Sequence, residues 1–238
     1  MKNTFLLKSN ESFVEKNIYA NRSSIVLEWL LRVGIHKEYF SLREVARETE
    51  VSFGLVCQVF NTLALQGFLQ IEGQRTSKRF LMKKAEELLR SWLEQYDICK
   101  KCKMWTYRSG FGSREELLQA LKTSSLQSQT VLALHSAAEA HGYKHTHLNT
   151  LELYLKDLSV KEELEKVLKL VPQERGYEVL LIQPYYKSLL NMQSSLALIP
   201  SSILLTFLDL YHFPLRGIEQ AEWMAERNLE LRHIYQKK

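Results

Sequence analysis

The chain has 238 residues and carries 32 Lys and Arg against 27 Asp and Glu, a formal net charge of +5. With 45% hydrophobic and 25% charged residues it can bury an ordinary core, which excludes collagen, coiled-coil and wholly disordered classes. No uninterrupted run of about 18 apolar residues is present, and the N-terminal segment lacks the apolar region of a signal peptide. We therefore expect a cytoplasmic protein without a membrane partner.

The net charge is distributed unevenly along the chain. Residues 1–103 contain 17 Lys or Arg and 12 Asp or Glu, whereas residues 104–238 contain 15 of each kind. A basic half joined to a neutral half is typical of a nucleic-acid-binding module attached to a protein-binding or catalytic domain. A solvated basic face with no ligand gives the same count, so charge alone leaves both interpretations open.

Three helices are predicted in the N-terminal half. Apolar residues recur at helical spacing through residues 22–34, which predicts a buried first helix. Ser41 and Glu44 have the spacing of a capping box at the start of a short second helix. A third helix is predicted from Ser52 to Gly67, and the gap before it is so short that the pair indicates a helix-turn-helix.

A β-hairpin is predicted directly after the third helix. Residues 68–71 (FLQI) and 80–82 (FLM) alternate as strands do, and a polar turn containing Gly73 separates them. This order, three helices and a basic hairpin over roughly residues 20–85, resembles the winged-helix DNA-binding domains of bacterial transcriptional regulators. The resemblance implies that the third helix enters the major groove. It also implies that the hairpin, called the wing below, lies along the DNA backbone or the minor groove.

The resemblance implies two sets of DNA-binding residues. On the third helix they lie opposite the apolar face, and they are Ser52, Gly54, Cys57, Gln58 and Asn61. At the tip of the wing they are Gln74, Arg75, Ser77, Lys78 and Arg79. Gln and Asn side chains suit adenine edges, and a Ser at a helix start can bind a phosphate.

The third helix contains no Arg or Lys between Ser52 and Gln66. We therefore expect binding that is dominated by phosphate contacts and assisted by the wing, in preference to readout of guanine by Arg. The alternative for this region is a protein contact, because winged helices also bind proteins.

A fourth helix is predicted over residues 83–96, with a domain boundary between Asp97 and Gly112. The predicted domains are a winged helix with its linker helix at residues 20–97 and a C-terminal domain at residues 112–238. Cys99 and Cys102 form a single CxxC, which supplies only half of a structural zinc site. The best remaining metal candidates are the histidines at four positions, His135, His141, His145 and His147. Because histidines near helix ends and in loops are more often capping or surface residues, we expect no metal and no other cofactor.

The C-terminal half predicts α+β layering, in which helices cover a small sheet. One long helix is predicted from about Leu126 to His141, a half-buried strand at residues 151–155 and an apolar strand at residues 177–183. Two helices close the chain, and the second is predicted from about Arg216 to Tyr235 after a break at Pro214.

Residues 205–227 carry a distinctive set of residues, namely Asp209, Pro214, Arg216, Gly217, Glu219 and Ala221. Their spacing is similar to the C-terminal signature of AbiEi-type antitoxins, the antitoxin members of type IV toxin-antitoxin systems, and of related transcriptional regulators. With the winged helix included, the resemblance covers most of residues 20–235. It implies a repressor that binds a double-stranded DNA operator of its own operon and neutralises the effect of a nucleotidyltransferase toxin. A homodimer is compatible with the sequence.

Within this signature we predict a structural role. Asp209 and Arg216 are expected to form an ion pair across the Pro214 turn, with Glu219 sharing the guanidinium three residues further on.

The alternative function is a nucleic-acid-processing enzyme, nucleotidyltransferase-like or a nuclease, whose winged helix delivers the substrate. Gly112 and Ser113 resemble the Gly-Ser that opens a nucleotidyltransferase site, but that chemistry needs two or three carboxylates to hold magnesium. The nearest carboxylates, Glu152 and Asp157, are expected on opposite faces of a strand. We therefore predict no catalytic residues and prefer the regulator.

Overall fold

The computed structural model describes residues 15–74, 77–146, 148–190 and 198–237. The N-terminal part contains α1 (Ser24–Arg32), α2 (Leu42–Thr49), α3 (Phe53–Leu65), β1 (Leu69–Glu72), β2 (Arg79–Met82), α4 (Ala85–Gln95) and α5 (Ile98–Lys101). The rest contains β3 (Lys103–Ser109), α6 (Arg114–Thr123), β4 (Thr130–Leu132), α7 (Leu134–Ala140), β5 (Leu151–Leu155), α8 (Lys161–Val167), β6 (Leu170–Pro172), β7 (Val179–Gln183), α9 (Ile203–Tyr211), α10 (Gly217–Arg227) and α11 (Leu229–Arg232). The fold class is α+β, as predicted. None of the helices in the described ranges is both long enough and apolar enough to cross a membrane.

Local hydrogen bonds set the start of α2 and α3. Ser41 Oγ accepts from the Glu44 backbone at 3.2 Å, and a Glu44 carboxylate oxygen accepts from the Ser41 backbone at 3.3 Å, which confirms the predicted capping box. Glu50 ends α2 in the left-handed conformation, with φ 54°. Ser52 then caps α3, because its Oγ accepts from the Leu55 backbone at 3.4 Å. The turn between the two helices is therefore only three residues long.

Within the described ranges, the larger sheet has five strands in the order β4-β5-β7-β3-β6. Strands β5 and β7 are parallel, with Leu153 opposite Leu181, and the other neighbours are antiparallel. The sheet begins in the chain at Lys103 of β3, which lies inside the interval from Asp97 to Gly112 where a domain boundary was predicted. The strand predicted at residues 151–155 is confirmed as β5, but the prediction that it is half-buried is wrong, since every residue of β5 is buried.

Helices cover both faces of this sheet, which explains the burial of β5. On one face Leu151, Leu153 and Leu155 pack in a cluster with residues of α6 and α8. On the other face Tyr154 belongs to a larger cluster that contains residues of α9 and α10. The polar-looking alternation in the sequence therefore reflects two different buried environments.

The larger cluster is continuous across the two predicted domains. It includes Phe60 of α3 and Trp92 of α4 as well as Phe207 of α9 and Met224 of α10. A hydrogen bond also joins the two parts, since Trp92 Nε1 of α4 donates to the hydroxyl of Tyr186, which follows β7, at 2.8 Å. Helix α4 therefore packs against both parts of the chain.

Two predicted helices in the C-terminal half are interrupted. The predicted helix from Leu126 to His141 is wrong, because Thr130–Leu132 forms β4 and pairs with β5, and only Leu134–Ala140 is helical after it. The predicted helix from Arg216 to Tyr235 breaks at Asn228. The Asn228 side chain accepts from the Leu231 backbone at 3.0 Å and so begins α11.

Candidate nucleic-acid interface

The exposed face of α3 lies opposite its buried face. Val56, Val59, Phe60 and Leu63 are completely buried. Four of the predicted residues on the other side are exposed, namely Ser52, Gly54, Gln58 and Asn61. The fifth, Cys57, is half-buried, and its Sγ lies 3.8 Å from Asn61 Nδ2 as a hydrogen-bond acceptor. The sequence therefore placed the polar face of α3 on the surface correctly.

Aromatic packing fixes the position of the wing relative to α3. Phe80 of β2 packs edge-to-face on Phe60 of α3, with ring centroids 4.9 Å apart. Phe40 completes this arrangement, because its ring lies 5.9 Å from that of Phe60 and its backbone exchanges two 2.9 Å hydrogen bonds with Phe80. The packing of these three rings therefore fixes how the wing is placed relative to α3.

The described part of the wing tip is closed by its own polar groups. Ser77 Oγ donates to the Gln74 carbonyl at 2.7 Å and accepts from the Gln74 backbone at 3.2 Å. Gly73 has φ 79°, and a Cβ there would lie 2.5 Å from the Ser77 carbonyl oxygen, so this turn requires glycine. Gln74 and Ser77 thus shape the turn, and Lys78 beside them is exposed. Arg75 lies outside the described residues.

Arg79 is already engaged by two neighbours within the protein. Its guanidinium forms an ion pair with Glu72 at 3.2 Å and lies over the Tyr39 ring, 3.8 Å from the ring centroid. A hydrogen bond to the Glu72 carboxylate also raises the pKa of Tyr39. Tyr39 is absent from the predicted site, because it lies between two helices in a segment without a recognisable motif.

Asp209 does not pair with Arg216, so that prediction is wrong. Asp209 is completely buried and accepts hydrogen bonds from two phenols, Tyr96 at 2.8 Å and Tyr154 at 2.7 Å. Burial is the largest influence on this carboxyl and raises its pKa to about 7. Arg216 instead lies at the surface and forms an ion pair with Glu219 at 2.6 Å. The predicted contact between Arg216 and Glu219 is therefore present.

Pro214 and Gly217 occupy the tight turn between α9 and α10. Gly217 lies so close to α9 that a Cβ on it would be 2.3 Å from the Leu210 carbonyl oxygen and 2.8 Å from Phe213 Cβ. Arg216 precedes it with φ 52°, in the left-handed region. The signature residues therefore set how α9 and α10 meet, through backbone proximity and not through an ion pair.

The candidate metal ligands make contacts with the protein itself. His135 Nε2 donates to the Leu215 carbonyl at 2.8 Å, and His141 Nε2 donates to the Ser201 carbonyl at 2.7 Å. Cys102 Sγ accepts from the Tyr185 backbone at 3.3 Å, and burial raises its pKa to about 12. Within the described ranges, no group of three or more His, Cys, Asp or Glu residues could hold a metal ion. His147 lies outside those ranges.

A family model described as "Transcriptional regulator, AbiEi antitoxin, Type IV TA system" matches residues 81–230. The match begins in β2, ends in α11 and covers more than half of the chain, including the buried Asp209 and the α9–α10 turn. No curated protein and no solved structure matches the chain. The chain therefore belongs to the AbiEi antitoxin family of transcriptional regulators from type IV toxin-antitoxin systems.

Proposed function

We propose that the chain is a DNA-binding repressor in which α3 occupies the major groove and the wing lies along the DNA backbone. One observation carries this proposal, namely the exposed polar face that Ser52, Gly54, Gln58 and Asn61 form on α3. The order of three helices and a hairpin supports it, since a winged helix places its third helix in the groove.

The dimensions of α3 suit this role. Its 13 residues extend for about 20 Å, and an α-helix fits a major groove that is about 12 Å wide. Gln58 and Asn61 are three residues apart and therefore lie on the same side of the helix. Their amides can each offer one donor and one acceptor to an adenine edge. Ser52 and Gly54 lie at the end of the helix that approaches bases in helix-turn-helix proteins.

The charge distribution supports contacts to phosphates from outside α3. Residues 1–103 hold the whole net excess of five positive charges, although α3 itself has none. Lys78 and Arg79 on the wing are therefore proposed phosphate contacts, with Arg75 between the strands as a third. The ion pair with Glu72 partly neutralises Arg79, so we assign the larger contribution to Lys78.

The antitoxin role is proposed for the C-terminal half. The family description supports a toxin partner, and we propose a nucleotidyltransferase toxin whose effect this chain neutralises without chemistry of its own. The bound DNA is proposed to be the operator of the chain's own operon, in the cytoplasm. We propose residues 20–97 and 112–238 as the two functional units, even though they share one hydrophobic cluster.

Paired assays in cells test this division in the full-length chain. The variant Gln58→Ala with Asn61→Ala is compared with Gln119→Ala, which changes an exposed glutamine on α6. We expect the double variant to lose repression of a reporter carrying the DNA upstream of its own gene, while it still rescues cells from the neighbouring toxin. The Gln119 variant should retain both activities. Full repression by the double variant would contradict the proposed interface.

A further inference from the structure

Phe53 is a large aromatic residue at the start of α3, and half of it is exposed. Its exposed fraction is 51%, whereas Phe40, Phe60 and Phe80 in the same region are at most 3% exposed. Among the described residues, Phe53 is not one of the partly buried side chains that pack against the core. Packing against the described residues therefore leaves half of this aromatic side chain exposed.

The surroundings of Phe53 leave its ring accessible to a ligand. Ser52 before it and Gly54 after it are both exposed. No atom of the described residues lies within 4 Å of the position that a Cβ on Gly54 would occupy, so these residues do not require glycine there for steric reasons. The result is an apolar ring beside a position without a side chain, at the end of α3 that approaches bases in helix-turn-helix proteins.

The major groove offers one apolar group to such a ring. Thymine carries a C5-methyl group there, whereas the other features of the base edges are hydrogen-bond donors and acceptors. Because α3 has no Arg or Lys, an apolar contact would add specificity that does not depend on charge.

We propose that Phe53 contacts the C5-methyl group of a thymine in the operator. This inference rests on the proposed function and adds a base-reading residue to it. Leu65 provides a comparison, because it is 70% exposed but lies at the opposite end of the same helix. It should make no such contact.

The test removes the methyl groups and leaves the base pairing unchanged. The DNA upstream of the chain's own gene is amplified with either dTTP or dUTP, and the full-length protein is titrated with each product. We expect the unmodified protein to bind the uracil DNA about threefold to tenfold more weakly, the range for one or two lost methyl contacts. Phe53→Ala should bind both DNAs equally, and Leu65→Ala should keep the original ratio.

Two controls accompany this test. Phe53→Leu keeps an apolar side chain and should retain part of the preference for thymine, and thermal unfolding shows whether each variant is folded. Equal binding of the two DNAs by the unmodified protein would overturn the inference but leave the proposed function intact. An unchanged thymine preference in Phe53→Ala would overturn it as well. If the unmodified protein did not prefer the upstream DNA to random DNA, the proposed function itself would fail.

Discussion

The Tyr96 hydroxyl donates a hydrogen bond to Asp209 Oδ1 at 2.8 Å and thereby joins the end of α4 to the last turn of α9. Tyr154 of β5 donates to the other carboxylate oxygen. A buried carboxyl with two phenol donors is satisfied as a hydrogen-bond acceptor, but burial still disfavours its charge. Helix α4, strand β5 and helix α9 therefore meet at a carboxyl group whose charge depends on pH.

We predict that Asp209→Asn changes the pH dependence of stability. The pKa of Asp209 rises from 3.8 to about 7 on folding, so the folded state holds its proton more tightly. The contribution of Asp209 is fully present below its unfolded pKa, and it is lost as the pH rises through 7. Between pH 5 and 8 the unmodified protein should lose about 2 to 3 kcal/mol of unfolding free energy relative to Asp209→Asn.

Urea unfolding at the two pH values measures this difference. Asp157→Asn is the matched control, because the pKa of this surface carboxyl is lowered by hydrogen bonds from Ser159 and not raised by burial. It should keep the loss of stability at high pH. Parallel pH profiles for the unmodified protein and Asp209→Asn would show that the carboxyl is not titrating in the folded core.

Two glycines should respond in opposite ways to the same substitution. Gly217→Ala would place a Cβ 2.3 Å from the Leu210 carbonyl oxygen, so we expect a loss of at least about 2 kcal/mol of unfolding free energy. Gly54→Ala meets no atom of the described part of the chain within 4 Å and should raise the unfolding free energy by up to about 1 kcal/mol. If the two variants unfolded at the same urea concentration, the close approach of α9 and α10 would be wrong.

The wing should contribute to binding through charge. The logarithm of the DNA-binding constant falls linearly with the logarithm of the salt concentration. We predict that Lys78→Ala makes this negative slope shallower by about 0.9, the value for one lost phosphate contact. Arg79→Ala should change the slope by a smaller amount in the same direction, because Glu72 already neutralises part of the charge of Arg79. Lys122→Ala on α6 is the control and should leave the slope unchanged. DNA titrations at four salt concentrations measure all three slopes, and an unaltered slope for Lys78→Ala would remove the wing from the interface.

The local features of the fold were predictable from the sequence. The capping box of Ser41 and Glu44, the cap at Ser52 and the hairpin around Gly73 each depend on residues within a few positions of one another. The role of Asp209 was not predictable, because its partners Tyr96 and Tyr154 are 113 and 55 residues away in the chain. Proximity in sequence favoured Arg216, but burial of Asp209 separates the two side chains.

The residues of the candidate site were likewise only partly predictable from the sequence. Helical periodicity alone identifies the exposed face of α3, so Gln58 and Asn61 could be placed correctly. Periodicity could not show that Tyr39 and Glu72 hold Arg79, since that contact depends on how the wing folds back beside the first helices. Nor could it identify Phe53, because an apolar residue beside a core stripe is ordinarily assigned to the core.

The affinity of Gln58→Ala for two DNAs shows whether α3 reads bases. Fluorescence anisotropy compares the full-length protein, Gln58→Ala and Gln119→Ala on the DNA upstream of the chain's own gene and on random DNA of equal length, at one salt concentration. We predict that Gln58→Ala loses about 1 to 3 kcal/mol on the upstream DNA and little on random DNA, and that Gln119→Ala loses nothing on either. Equal affinities of the two variants for the upstream DNA would show that Gln58 on α3 does not read bases.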